Sequence, residues 1–281
     1  MPVKVSLNAY FERIGFAGSI APTVATLETL LALHAASIPF ENLNPLTGSP
    51  VALDQPALER KLLAERRGGF CFEHNTLLMR VLEDLDFSVR PLLARGLWNN
   101  PDGRSGPAGH MVLLIDIING QNYIADVGFG GLTLTAPLRL RADVEQATPH
   151  ETFRLVGGAP EWTLEVKIAD DWRDVFAFTL DAVEPEQLVE AAQLMSRDPG
   201  MTEELRVALS PPGRRLKLRD LRLTIQTSGG EAEKRELESM EALRSVLSEE
   251  FGLTLPNDER LDLALSRLFP LPPDTPDQAP L

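Results

Sequence analysis

Apolar residues in the first third of the chain recur at helical spacing. Leu27, Leu30, Leu31 and His34 fall at i, i+3, i+4 and i+7, a single stripe that Pro39 brings to an end. Ahead of it, Ser6 is placed to cap a short helix that stops at Gly15. Behind it, Asp54 is placed to cap a helix that carries Leu58 and Leu62 and stops before Gly68-Gly69. A fourth helix is predicted to start around Cys71 and to bury Leu78, Val81, Leu82 and Leu85. At Ser88 the period changes. Strands are predicted over 89–98, 110–117, 121–129, 152–156, 163–168 and 175–180, and several short strands at modest spacing predict an antiparallel sheet or barrel. Residues 184–204 read as a less patterned helical link. Two further strands follow, 205–209 and 216–226, and then two amphipathic helices. The first buries Leu243, Val246, Leu247 and Phe251 and stops at Gly252; the second buries Leu261, Ala264, Leu265 and Leu268. Five prolines among the last twelve residues predict a disordered tail. The expected organisation is a multi-part α+β protein: a helical bundle over 1–86, an antiparallel β-barrel over 87–183, the link 184–204, an α/β unit over 205–269 and the tail 270–281.

A chain of 281 residues is long for a single core, which agrees with division into two or three units. Hydrophobic residues make up 43% and charged residues 24%, so wholesale disorder is excluded. The net charge is −14, and no basic run is longer than a pair such as Arg66-Arg67 or Arg214-Arg215. Phosphate backbones bind to clustered positive surface, so no nucleic-acid partner is expected. The longest apolar stretch, 111–118, is interrupted by Asp116, whereas a membrane helix needs about 20 apolar residues. No membrane association is expected. The opening residues lack the apolar segment of a secretory signal, and a lone cysteine cannot form an internal disulfide. A cytoplasmic setting is the expectation, with the protein a monomer or homodimer and no metal.

That lone cysteine stands in the run Arg67-Gly68-Gly69-Phe70-Cys71-Phe72-Glu73-His74-Asn75. Two glycines allow the backbone to turn tightly against whatever lies there, and the cysteine falls at a helix start, where free N–H groups and the helix dipole favour a thiolate. Taken by position alone, it could equally be a small buried hydrophobe. A nucleophile needs a base, and there are four histidines. His34 sits on an apolar stripe and reads as a core residue. His74 shares the helix of Cys71, a poor geometry for proton transfer. His150 lies in a polar loop and reads as solvated. His110 opens a strand after a glycine- and proline-containing loop, a common position for a functional side chain. Asp126, inside the next strand, is disfavoured there by propensity and burial, and binding a histidine ring would explain it.

Strand register decides whether these two can meet. With Asn119-Gly120 as a two-residue loop, His110 shares a face with Val127. With the three-residue loop Ile118-Asn119-Gly120, and Gly120 left-handed, Ile117 pairs with Gln121 and Asp126 lies one diagonal step from His110 on the same face. An odd-length loop or an equivalent bulge is therefore predicted. The order Cys, His, Asp on a helix followed by two strands is the logic of a cysteine-protease-like triad.

The run at 67–75 resembles the signature of the arylamine N-acetyltransferases, as do Gly109-His110-Met111 and the stretch Tyr123 to Gly130. Tyr10-Phe11-Glu12-Arg13-Ile14-Gly15, the segment from His34 through Ile38-Pro39-Phe40-Glu41-Asn42-Leu43, and Phe251-Gly252-Leu253 are similar to other parts of that family. The resemblance implies a bundle bearing Cys71, a barrel bearing His110 and Asp126, and an α/β lid. It implies ping-pong acetyl transfer from acetyl-CoA, as co-substrate, to the nitrogen of arylamines, arylhydroxylamines or hydrazines through acetyl-Cys71. It further implies that Phe40, Phe72 and Phe129 line the substrate pocket, that Gly128, Gly130 and Gly131 approach the CoA, and that Arg67 and Glu41 form a buried structural ion pair. The oxyanion site would combine the Cys71 amide with another backbone N–H. Residues 190–200 depart from the aromatic and Ser/Thr-rich stretch usual there. Alternatives using the same triad are a hydrolase that passes the acyl group to water and an amide synthase of polyketide biosynthesis; a non-catalytic binding module is a third.

Overall fold

The computed structural model describes residues 4–100, 102–117 and 120–269. Its N-terminal layer holds helices α1 (Leu7–Ile14), α2 (Val24–Ser37), α3 (Leu43–Leu46), α4 (Gln55–Leu58, continuing as π-helical turns to Ala64) and α5 (Cys71–Asp84). The stripe on α2 is completely buried, and its leucines pack with Leu77, Leu78, Val81 and Leu82 of α5. Asp54 caps α4 by accepting from the Ala57 N–H at 3.0 Å, and Gly15, at φ +69°, closes α1. Ser6 does stand at the start of α1, but its side chain caps nothing there; its backbone N–H donates to Glu59 Oε1 at 2.6 Å instead, tying α1 to the π-helical turns that continue α4.

Eight antiparallel strands form a nearly closed barrel: β2 (Ser88–Gly96), β3 (His110–Ile117), β4 (Gln121–Ala125), β5 (Leu138–Arg139), β6 (Gln146–Ala147), β7 (Thr152–Gly158), β8 (Glu161–Ile168) and β9 (Asp171–Thr179), in the order β5-β4-β3-β2-β9-β8-β7-β6. The two edges are tied by Gln146, whose side-chain oxygen accepts from the Arg139 N–H and whose amide donates to the Arg139 carbonyl. Residues 110–115 are buried on both faces. Met111, Leu113 and Ile115 join the bundle core, while Val112 and Leu114 join the barrel interior with Phe153, Phe176 and Phe178. This is why β3 reads as an unbroken apolar run rather than an alternation. The second strand of this hairpin ends at Ala125, short of the expected Phe129.

After the barrel, α6 (Pro185–Met195) and α7 (Pro199–Thr202) return along the bundle, burying Leu188, Ala191, Ala192 and Met201 against its core. A second sheet then forms from β1 (Phe40–Glu41), β10 (Arg206–Leu209), β11 (Arg214–Arg219), β12 (Arg222–Thr227) and β13 (Ala232–Glu236). The single strand expected over 216–226 is thus a hairpin. Asp220, at φ +52°, turns the chain between two halves, and the apolar alternation shifts by one residue across the turn, from Leu216 and Leu218 to Leu221, Leu223 and Ile225. The strand β13 is exposed throughout and carried no apolar signal. Helices α8 (Met240–Ser245, continuing as π-helical turns to Glu250) and α9 (Glu259–Ser266) cover one face of this sheet, with Leu243, Val246, Leu247, Phe251, Leu261, Ala264 and Leu265 inside. Leu268 remains half-buried. Leu43 and Leu46 belong to the same core, so the segment 40–46 is shared between the first and last parts of the chain. The expected tail at 270–281 lies outside the described residues.

Candidate active site

The β3–β4 pairing has the register that brings Asp126 to the face of His110. Ile117 pairs with Gln121 and Leu113 with Ala125, and Gly120 has φ +71°. Residues 118 and 119 of the expected loop lie outside the described residues. This offset puts Asp126 and His110 on the barrel side of the two strands, and His110 Nε2 lies 2.7 Å from Asp126 Oδ2. Asp126 is completely buried. Its other oxygen accepts from Asn75 Nδ2 at 2.9 Å and from the Gly128 N–H at 2.8 Å.

Cys71 is the first residue of α5. Its thiol donates to the Gly109 carbonyl across 3.8 Å, beside the His110 ring. With Nε2 given to Asp126, Nδ1 is the ring nitrogen left for the sulfur. Burial opposes charge on His110, but the Asp126 carboxylate outweighs it. Its charge and hydrogen bond, together with the interaction with Cys71, push the His110 pKa up to about 10. Phe129 meets the ring edge-on with centroids 5.0 Å apart, and Phe176 lies 5.2 Å away.

The glycines before Cys71 answer to the protein's own backbone. A Cβ on Gly68 would stand 1.9 Å from the Pro39 carbonyl oxygen, and one on Gly69 would stand 2.8 Å from Glu73 Oε2. The close approach lets Glu41 N–H donate to the Gly69 carbonyl at 2.8 Å, pinning the cysteine loop to β1. Beneath the loop, Arg67 donates to Glu41 Oε1 through Nη2 (2.7 Å) and Nε (3.1 Å), and Lys61 bridges Glu73 at 2.7 Å and Glu41 at 3.8 Å. Burial raises the Glu41 pKa, but Lys61 and Arg67 outweigh it and the net shift is downward. At Glu73 burial prevails over Lys61 and the net shift is upward.

Of the other expected residues, Phe40 and Phe129 are half-buried at the loop after Asp126, and Phe40 lies against Gly130. Phe72 is completely buried in the bundle core, 5.7 Å from Phe70. The space beside Gly128 is filled by Cys71, whose Cα would be 2.6 Å from an added Cβ, and the space beside Gly131 by Lys217 Cε at 2.7 Å. Among the described residues no cluster of His, Cys, Asp and Glu could hold a metal ion, and no helix is long and apolar enough to cross a membrane.

Asn75 is the residue that the pattern did not single out. It holds Asp126, donates to the Met111 carbonyl at 2.8 Å and accepts from the Val127 N–H at 3.0 Å. Its place one helical turn after Cys71, on the same face, was the available signal. His74 and His34 do lie in the core, and they are wired together. His74 Nε2 faces the Pro39 carbonyl at 3.1 Å, His34 Nε2 faces His74 Nδ1 at 2.9 Å, and Tyr10 Oη faces His34 Nδ1 at 2.9 Å. His150 is not simply solvated. It bonds Thr135 Oγ1 and the carbonyls of Pro211 and Arg214, stitching the barrel to the second sheet.

A bundle presenting a cysteine to a barrel-borne His–Asp pair defines an acyl-transfer enzyme of the cysteine type. The N-acetyltransferase family model matches residues 23–260. The chain is 37% identical over 250 residues to an arylamine N-acetyltransferase of Escherichia coli (88% of each chain). It is 38% identical, with the same coverage, to an arylamine N-acetyltransferase / N-hydroxyarylamine O-acetyltransferase of Salmonella typhimurium. The Mycobacterium marinum arylamine N-acetyltransferase in complex with CoA has the same fold, with a TM-score of 0.89 at 34% identity over 94% of this chain and 100% of that one. The chain belongs to the arylamine N-acetyltransferase family.

Proposed function

We propose that this enzyme transfers the acetyl group of acetyl-CoA to the nitrogen of arylamines, arylhydroxylamines or hydrazines through an acetyl-Cys71 thioester. The reading is carried by one observation: His110 is bonded to buried Asp126 through Nε2, which leaves Nδ1 toward the Cys71 sulfur. In the first half-reaction His110 already holds the thiol proton, and the Cys71 thiolate attacks the acetyl carbonyl. The new C–S bond forms as the C–S bond to CoA breaks, and His110 returns its proton to the departing thiolate. In the second, the amine nitrogen attacks the thioester. A C–N bond forms, the bond to Cys71 breaks, and the proton released by nitrogen passes to His110, restoring the imidazolium beside the sulfur.

Asp126 holds the ring in one orientation and supports its charge. Asn75 and Gly128 hold Asp126. The first N–H groups of α5, which have no partner within the helix, are suited to receive the developing oxyanion. Phe40 and Phe129 offer flat apolar faces to an aromatic acceptor. An N-hydroxyarylamine oxygen would meet the same thioester, as the Salmonella relative's description suggests.

The test is direct. Acetyl-CoA alone should add one acetyl mass to a peptide containing Cys71, and an aromatic amine should then remove it with formation of the amide. Cys71→Ala should take up none. Release as free acetate, with no acetylated amine, would overturn the reading in favour of a hydrolase.

A further inference from the structure

Lys217 occupies an unusual position. It lies on β11 between Leu216 and Leu218, which are in the core of the C-terminal unit, so its own side chain falls on the opposite face of that sheet, toward the barrel. Direct pairing places Phe40, Ala208, Lys217 and Thr224 side by side in one row across four strands. Lys217 is therefore two strands from Phe40, about 10 Å along the row. The lysine stem lies over Gly131, filling the space where a Cβ would be. Gly131 is three residues from Gly128, which touches Cys71, so no more than about 11 Å of chain separates the two contacts.

This cation is half-buried and, among the described residues, has no hydrogen bond or ion pair. Its neighbour on the same face, Arg215, takes the nearby carboxylate: Glu151 accepts from Arg215 Nε at 2.7 Å and Nη2 at 2.5 Å. Burial and the Arg215 charge lower the Lys217 pKa, and Glu151 offsets only part of that. A desolvated ammonium without a counter-ion gains most from an incoming anion.

We propose that Lys217 is a specificity residue that receives the carboxylate of an anionic aromatic acceptor, such as an aminobenzoate, whose amine faces acetyl-Cys71. The proposal rests on the acetyl-transfer reading above. Distance favours the acceptor over CoA as the source of the anion. The pantetheine arm carries its phosphates far from the sulfur that must meet Cys71, whereas a benzene ring sets a para carboxylate only one ring-width from the amine. Gly131 suits this role, because any side chain there would displace the lysine.

The experiment compares 4-aminobenzoate with its neutral isostere 4-aminobenzamide, in wild type, Lys217→Met and Lys217→Arg. Lys217→Met should lower the ratio of kcat/KM for benzoate over benzamide about ten- to a hundredfold, with the change carried by KM. Lys217→Arg should restore most of the ratio. An unchanged ratio overturns the proposal, whether both acceptors keep their rates or both lose equally. An unchanged ratio together with slower acetylation of Cys71 by acetyl-CoA overturns it by placing the lysine on a CoA phosphate. Failure of every amine to discharge acetyl-Cys71 would instead count against the acetyl-transfer reading, and turnover of benzamide separates the two cases.

Discussion

Asp126 serves two sides at once. One oxygen faces His110 and the other collects donors from α5 and from the loop, so the carboxylate is buried with its lone pairs occupied. The consequence for His110 has a definite sign. Burial alone favours the neutral ring; the carboxylate, with a smaller contribution from Cys71, reverses this. Asp126→Asn should therefore leave His110 neutral at neutral pH and slow acetylation of Cys71 by about 10³- to 10⁴-fold, measured by rapid quench and mass spectrometry. A loss of less than tenfold would contradict the role. Asp126 was singled out in the sequence because an aspartate within an expected strand needs a reason, although the strand ends at Ala125 and Asp126 opens the loop beyond it. Asn75 was not, because its partners Met111, Asp126 and Val127 lie 36 to 52 residues away and nothing local announces them.

Among the elements, α2 and α5 are joined by more than apolar contact. The Pro39 carbonyl can only accept, so His74 must donate from Nε2, His34 must donate to His74, and Tyr10 must donate to His34. This one-way chain requires both rings neutral. Burial lowers both pKa values, His74 to about 4 and His34 well below its usual 6.5; at His34 the neighbouring His74 and Arg13 add to the effect, while at His74 Lys61 lowers and Glu41 raises. The unfolded chain takes up these protons from about pH 6.5 downward while the folded one does not. Stability should fall as pH drops from about 6.5 toward 4, by about 1.4 kcal/mol per unit for each histidine. Urea unfolding across that range checks it, and His74→Gln should show a shallower slope. His110 behaves oppositely: its contribution is complete below pH 6.5 and is lost as pH rises toward 10. Helical periods and caps announced α2, α4 and α5 well. The β11–β12 hairpin was missed because Asp220 turns the chain without glycine or proline, and its only trace is a one-residue shift in the apolar alternation between Leu218 and Leu221.

Across the whole molecule, the order of bundle, barrel and α/β unit followed from the change of period along the chain. How the parts interlock did not, since a two-residue strand at Phe40–Glu41 gives no warning that it will start the sheet built by residues 206–236. That strand also clasps the cysteine loop, so the last part of the chain supports the nucleophile near its beginning. A second tie is Arg215, 2% exposed, which binds Glu151, Ser210 Oγ and the Thr133 carbonyl. Arg215→Ala strands the Glu151 charge at the barrel–sheet junction and should cost about 3–5 kcal/mol in unfolding free energy, read from urea denaturation. A cost below about 1 kcal/mol would show that the junction is held elsewhere. The central claim, however, is that His110 stays cationic at neutral pH beside Cys71. Nitrogen-15 NMR of the His110 ring, followed across pH, tests it most directly. An imidazolium that persists at pH 8 and loses its proton near pH 10 is the expected result; a ring already neutral at pH 7 would contradict the account.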